Sequence, residues 1–153
     1  MLALGMMSGR KPNREDIKKI AVAAVEDALA KAPNAIIASP AYGALMNIGD
    51  PALLSLIEDI PDHPDFSTRE VAAIAMRRMP PSETAEFTRR WLVKEKDWRV
   101  KITLYHSLEL QTFAAQEMTS REVIELAIAD LEKRPGAITR KALARLLGRA
   151  TLE

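Results

Sequence analysis

No cysteine occurs anywhere in the chain, which excludes a disulfide framework and any thiolate metal site and fits a reducing compartment such as the cytoplasm. No apolar run approaches the roughly 20 residues that a membrane helix needs. The apolar start, Met1 to Met7, is short and has no basic stretch before it, so it reads as neither a signal peptide nor a span. Glycines number only 6 and are scattered, so there is no phosphate-cradling loop, no dinucleotide fingerprint and no Gly-x-Ser-x-Gly elbow. Strand-type alternation is missing over any useful length, which argues against sheet. Strong charge of one sign is also missing, since the net charge is +1. Aromatics make up 5%, so the core has to be built mainly from Ala and Leu, both strong helix formers.

What the chain does have is a pattern that recurs. Ile37-Ala38, Thr68-Arg69, Val100-Lys101 and Thr139-Arg140 align with one another. Four residues after the first member of each pair stand Ala41, Ala72, Leu104 and Leu143. Seven after it stand Ala44, Ala75, Ser107 and Leu146, and eight after it Leu45, Met76, Leu108 and Leu147. The steps between copies are 31, 32 and 39 residues. Periods in this range, built from helix pairs, predict an all-α fold of about four antiparallel hairpins, an α-solenoid. Each pair is too small to bury its own core, so neighbours must stack.

Local signals place the elements. The first helix is expected to open at Asn13 and to carry Ile17, Ile20, Ala21, Ala24, Val25 and Ala28 on one face. Its partner runs from about Asn34 to Ile48, with Pro40 kinking it or starting its regular part and Ser39 as cap. Gly49-Asp50-Pro51 marks an exit, a cap and a first turn, followed by a helix over 51–60. Pro61 to Asp65 reads as a loop. Ser67 and Glu70 form a capping box for a helix over 68–79. Ser82 caps 83–95, and Asp97 caps 98–111. Gln111 to Met118 is the longest link, and Thr119-Ser120-Arg121-Glu122 is a second capping box for 120–133. Pro135-Gly136 turns the chain into a last helix, 137–150. The repeats are thus expected near 14–48, 51–79, 82–111 and 119–150, in one domain over 1–153 that also fits a segment cut from a longer protein.

This arrangement resembles the HEAT repeat family over nearly the whole chain, through the second-helix pattern above and the connector Leu45-Met46-Asn47-Ile48-Gly49-Asp50-Pro51-Ala52-Leu53. The resemblance implies that second helices line a concave, partner-binding side. It also implies a ladder of acidic and basic side chains between repeats, with Asp62 or Asp65, Asp97, Arg69, Lys101 and Arg140 in suitable places and Ala38 departing from the pattern. The run from Ile37 to Phe113 also resembles the helical domain of vitellogenin-type large lipid transfer proteins, through a similar junction, a helix rich in Val, Ala and Arg, and Trp98-Arg99-Val100-Lys101-Ile102.

No residue set advertises catalysis. His63 sits beside Asp62 and Asp65 in a Pro-rich loop and reads as solvated, because a metal site needs three or four converging ligands. His106 reads as a partly buried packing residue. Trp91, four residues after Phe87, reads as core, while Trp98 is either a lid over its hairpin or a binding anchor. Basic residues are the strongest lead. Residues 1–68 hold six basic and nine acidic side chains, and residues 69–153 hold sixteen and twelve. Arg77-Arg78, Arg89-Arg90 and the cluster over 133–149 could share one face, and Lys141, Arg145 and Arg149 are spaced four apart. The sequence therefore predicts a non-catalytic scaffold without cofactor or metal, binding a protein partner through Arg69, Trp98, Arg99, Lys101, Arg140 and Arg145. A nucleic-acid binder with a basic concave face and a lipid-transfer segment are the alternatives. A weak homodimer through exposed end helices is a further expectation.

Overall fold

The computed structural model describes residues 15–115, 119–133 and 136–150. Among them are seven α-helices and no strand. Helix α1 spans Glu15–Lys31, α2 Ala35–Ile48, α3 Phe66–Ala75, α4 Pro81–Lys94, α5 Trp98–Ala115, α6 Arg121–Glu132 and α7 Ala137–Ala150. Two 3-10 segments, Pro51–Ile57 and Ile60–Asp62, lie between α2 and α3. The expected cap at Asn13 lies outside the described residues.

Caps explain most boundaries. Asn34 is extended and its side chain accepts from the Ile37 N–H at 3.1 Å, so α2 starts there rather than at Ser39, and Pro40 falls inside the helix. Gly49 ends α2 at φ 67°, its N–H bonded to the Leu45 carbonyl at 3.1 Å. Asp50 accepts from Ala52 N–H at 2.9 Å, and Pro51 stands at the first helical position. The expected α-helix over 51–60 is instead 3-10. Pro61 lacks an N–H and disfavours the helical region for Ile60, so a run that starts at Pro51 has no room to repay its nucleation cost.

Asp65, not Ser67, caps α3. Its carboxylate accepts from Ser67 N–H at 3.2 Å, Thr68 N–H at 3.1 Å and the Thr68 hydroxyl at 2.9 Å. A carboxylate takes more donors than a serine hydroxyl and suits the positive helix end. Pro81 starts α4 without a side-chain cap, so Ser82 falls within the helix. Asp97 accepts from Arg99 N–H at 2.9 Å at the start of α5, and Ser120 accepts from Val123 N–H at the start of α6. The link expected over 111–118 is mostly helix, because α5 runs on to Ala115.

Helices α2, α3, α5 and α7 pack on one another in that order. Against this inner row, α1 packs on α2, α4 on α5 and α6 on α7, and α4 also meets α6. The inner helices begin at residues 35, 66, 98 and 137, so the steps match those of the sequence pattern. The aligned residues therefore occupy the same turn of every inner helix. Ala41, Ala44 and Leu45 on α2 are buried, as are Ala72, Ala75 and Met76 on α3, Leu104, Ser107 and Leu108 on α5, and Leu143 and Leu146 on α7. Small residues on α2 and α3 let their backbones approach closely. Trp91 on the outer helix α4 and Tyr105 on the inner helix α5 are both fully buried. Each fully buried Leu or Met side chain here is worth about 1.5–3 kcal/mol.

Candidate functional site

Two basic residues from the expected contact set point into the protein. Arg69, the fourth residue of α3, donates from Nε and Nη2 to the two oxygens of Glu95, at 2.9 and 3.1 Å. Its Nη1 donates to the His63 carbonyl at 2.7 Å. Only 14% of this side chain is exposed. Lys101, the fourth residue of α5, donates to Asp130 at 2.7 Å and is 12% exposed. Each pair joins the start of an inner helix to the C-terminal end of the outer helix in the following hairpin. The geometry thus forms two rungs in one register.

Both carboxylates are crowded with donors. Glu95 also accepts from Trp91 Nε1 at 3.3 Å and from the backbone N–H groups of Lys96 and Asp97 at 3.0 and 2.9 Å. Burial pushes its carboxyl up, but Arg69, the Asp97 N–H and Trp91 together hold it below the usual range. Asp130 accepts from Tyr105 at 2.6 Å and Lys133 at 2.7 Å as well. Burial opposes ionisation there too, and hydrogen bonds from Lys101, Lys133 and Tyr105 outweigh it. The Tyr105 phenol is pushed well above its ordinary value, first by burial and then by its bond to that carboxylate.

The rung acids are Glu95 and Asp130, not the Asp62, Asp65 or Asp97 that the sequence resemblance implied. Asp65 caps α3, Asp62 pairs with Lys94 at 2.6 Å, and Asp97 binds Arg99. A sequence signal for the true acids exists: each continues a buried face, Trp91 to Glu95 four apart and Val123, Ala127, Asp130 at helical spacing.

The remaining candidates are exposed. Arg99 donates to Asp97 at 2.6 and 3.0 Å, which draws that carboxyl down to about 2, and its guanidinium lies 3.6 Å from the centre of the Phe66 ring. Trp98 is 37% exposed, with the Lys101 ammonium 5.2 Å from its ring centre. Trp98, Ile102, Ala137, Ile138 and Thr139 line an open cleft of about 500 Å³ at the N-terminal rim of α5 and α7. Arg140 and Arg145 are exposed on α7.

The other basic pairs do not merge into one stripe. Arg89 binds Glu86 at 2.8 Å on the outer helix α4, and Arg90 approaches the same carboxylate at 3.9 Å. Arg77 is half-buried after α3, and burial lowers its basicity. His63 accepts from Asp65 N–H at 3.1 Å within its loop. His106, expected to be a packing residue, is exposed, with Nδ1 3.3 Å from Glu109. It sits at the ninth position of α5. Among the described residues no group of three or more potential ligands could hold a metal ion, and no helix is long and apolar enough to cross a membrane. Comparison of the chain with protein-family models, with curated proteins and with solved structures finds no match.

Proposed function

We propose that the chain is a non-catalytic, HEAT-like helical-repeat scaffold that binds a protein partner on the uncovered side of its inner helices. The observation that carries this reading is the rim cleft beside Trp98. A half-exposed indole with Ile102 and Ile138 offers an apolar anchor site, and aromatic anchors in such sites supply most of the affinity at protein interfaces. The fifth and ninth positions of the inner helices, half of them exposed and half partly buried, are chemically mixed. The fifth positions of the inner helices are Ser39, Glu70, Ile102 and Lys141, and the ninth are Gly43, Ile74, His106 and Arg145. A polar rim around an apolar centre suits protein recognition. Glu70, half-buried at the fifth position of α3, interrupts a run of positive charge, which favours a protein partner over a nucleic acid.

The two buried carboxylates support a structural role. Glu95 receives five donors and Asp130 three, and both are buried, which is the setting of a structural ion pair. Arg69 and Lys101 are held by those acids, so the partner-facing set narrows to Trp98, Arg99, Arg140 and Arg145. The test is quantitative capture from the parent organism's lysate with the intact chain and with Trp98→Ala, read by mass spectrometry. A specific protein lost with Trp98→Ala supports the reading. Retention of lipid or nucleic acid with no such protein overturns it.

A further inference from the structure

The loop that leads into α3 is held by an acceptor that mild acid removes. Within His63-Pro64-Asp65, the Asp65 N–H donates to His63 Nδ1 at 3.1 Å. This bond ties the loop into a turn, and two further sets of contacts start from that turn. The Asp65 carboxylate stands over the start of α3, where it takes the Ser67 and Thr68 N–H groups and the Thr68 hydroxyl. The His63 and Pro64 carbonyls point toward Arg69 Nη1, at 2.7 and 3.2 Å. One ring nitrogen therefore secures both the cap of α3 and the second anchor of the Arg69 rung.

Only an unprotonated Nδ1 has the lone pair that this N–H needs. Histidine is the side chain whose charge changes between about pH 5 and 8, and His63 is half-buried, within reach of solvent protons. A protonated Nδ1 is a donor facing a donor. The Asp65 carbonyl, 3.4 Å from it, already receives the Arg69 N–H at 3.3 Å. The charged groups around the loop are committed as well. Asp62 is held by Lys94, Asp65 by the start of α3, Glu95 by Arg69 and Asp97 by Arg99. No free carboxylate is left to reward the new charge. The Asp65 carboxyl is itself held below its usual range by the Thr68 hydroxyl and the Ser67 N–H, so it stays ionised while a histidine titrates.

We propose that His63 is a proton-sensitive latch whose neutral ring fastens the first turn of α3 and whose protonation releases it. Above the histidine range the latch is closed. As pH falls through that range, the Asp65 N–H loses its acceptor, the cap frays, and Arg69 is left with Glu95 alone. The release is confined to one turn, so it is separate from the unfolding of whole helices below about pH 4.

The test is millisecond hydrogen exchange of the full chain at about pH 7.5 and about pH 5.5, with each rate divided by its intrinsic value. Protection of the Asp65, Ser67 and Thr68 amides should fall about five- to tenfold at the lower pH, the range set by one hydrogen bond. The amides of Leu104 and Leu143 should keep theirs. His63→Ala should leave the loop poorly protected at both values. His63→Asn separates the latch from a merely structural residue, because asparagine Oδ1 replaces Nδ1 and accepts at either pH. That chain should keep the protection and lose its pH dependence. Circular dichroism verifies that both variants are folded, and His63→Asn tests the latch even where His63→Ala unfolds. Equal protection of the parent at both pH values, or higher protection in acid, overturns the proposal. So does a His63→Asn chain that follows pH as the parent does or is unprotected throughout.

Discussion

The junction between α2 and α3 and the junction between α5 and α7 occupy equivalent places in the stack but are held differently. In the first, the fourth inner position is Ala38, buried by apolar contact, and the segment before α3 is 3-10. In the second, that position is Lys101, tied to Asp130 and through it to Tyr105 and Lys133. One register thus accepts either a methyl group or a buried ion pair. A buried pair gains little over well-packed apolar groups, but it leaves a large penalty when one partner is missing or out of register. The rungs at Glu95 and Asp130 therefore fix which turn meets which, where the first junction relies on shape and on the sharp exit at Gly49.

The strongest way to break this contrast is Glu95→Ala. It strands Arg69 at 14% exposure and removes the acceptor for Trp91 and two backbone N–H groups. The expected loss is about 3–5 kcal/mol in urea unfolding.

Acid should loosen the rungs before the first junction. Both rung carboxyls are held below their usual range in the folded chain. Their contribution is complete above the unfolded values of about 3.9 for Asp and 4.3 for Glu, and it drains away as pH falls through the lower folded values. Stability should hold from pH 7 to about 5 and fall below about 4, and Asp130→Asn should flatten that fall. Hydrogen exchange should show α4 to α6 opening first in acid.

At the first junction, Gly49→Ala should cost about 1–2 kcal/mol. The positive φ of 67° resists a side chain, and a Cβ there would stand 3.0 Å from Arg78 Cβ and 3.1 Å from its carbonyl oxygen. Its loss should show as a lower midpoint with an unchanged denaturant slope. Smallest of all is Arg140→Ala, expected within about 0.5 kcal/mol of the parent, because this exposed residue meets no carboxylate among the described residues.

The inner helices were legible because their apolar spacing is tied to helix geometry. The steps between Thr68, Val100 and Thr139 equal the steps between the starts of α3, α5 and α7. Gly49-Asp50-Pro51 was legible for the same kind of reason, since each residue meets a separate backbone demand. The 3-10 run after Pro51 was not, because apolar spacing over seven residues fits either helix type. The site was less readable still. Sequence reports that Arg69 and Lys101 are charged but not that they are covered. Their acids lie 26 and 29 residues further on, across helices of unequal length, so no fixed spacing marks them. Trp98 was readable as a residue with two roles, and its partial exposure beside Ile138 came only with the packing of α5 on α7.

The most direct test of the rungs as register locks is a double-mutant cycle on Lys101→Ala and Asp130→Ala, read by equilibrium unfolding at neutral pH. The account predicts a coupling of at least about 1.5 kcal/mol, with the double variant far less damaged than the sum of the two single changes. A coupling within about 0.3 kcal/mol of zero would show that Lys101 and Asp130 act separately, and the ladder would lose its meaning.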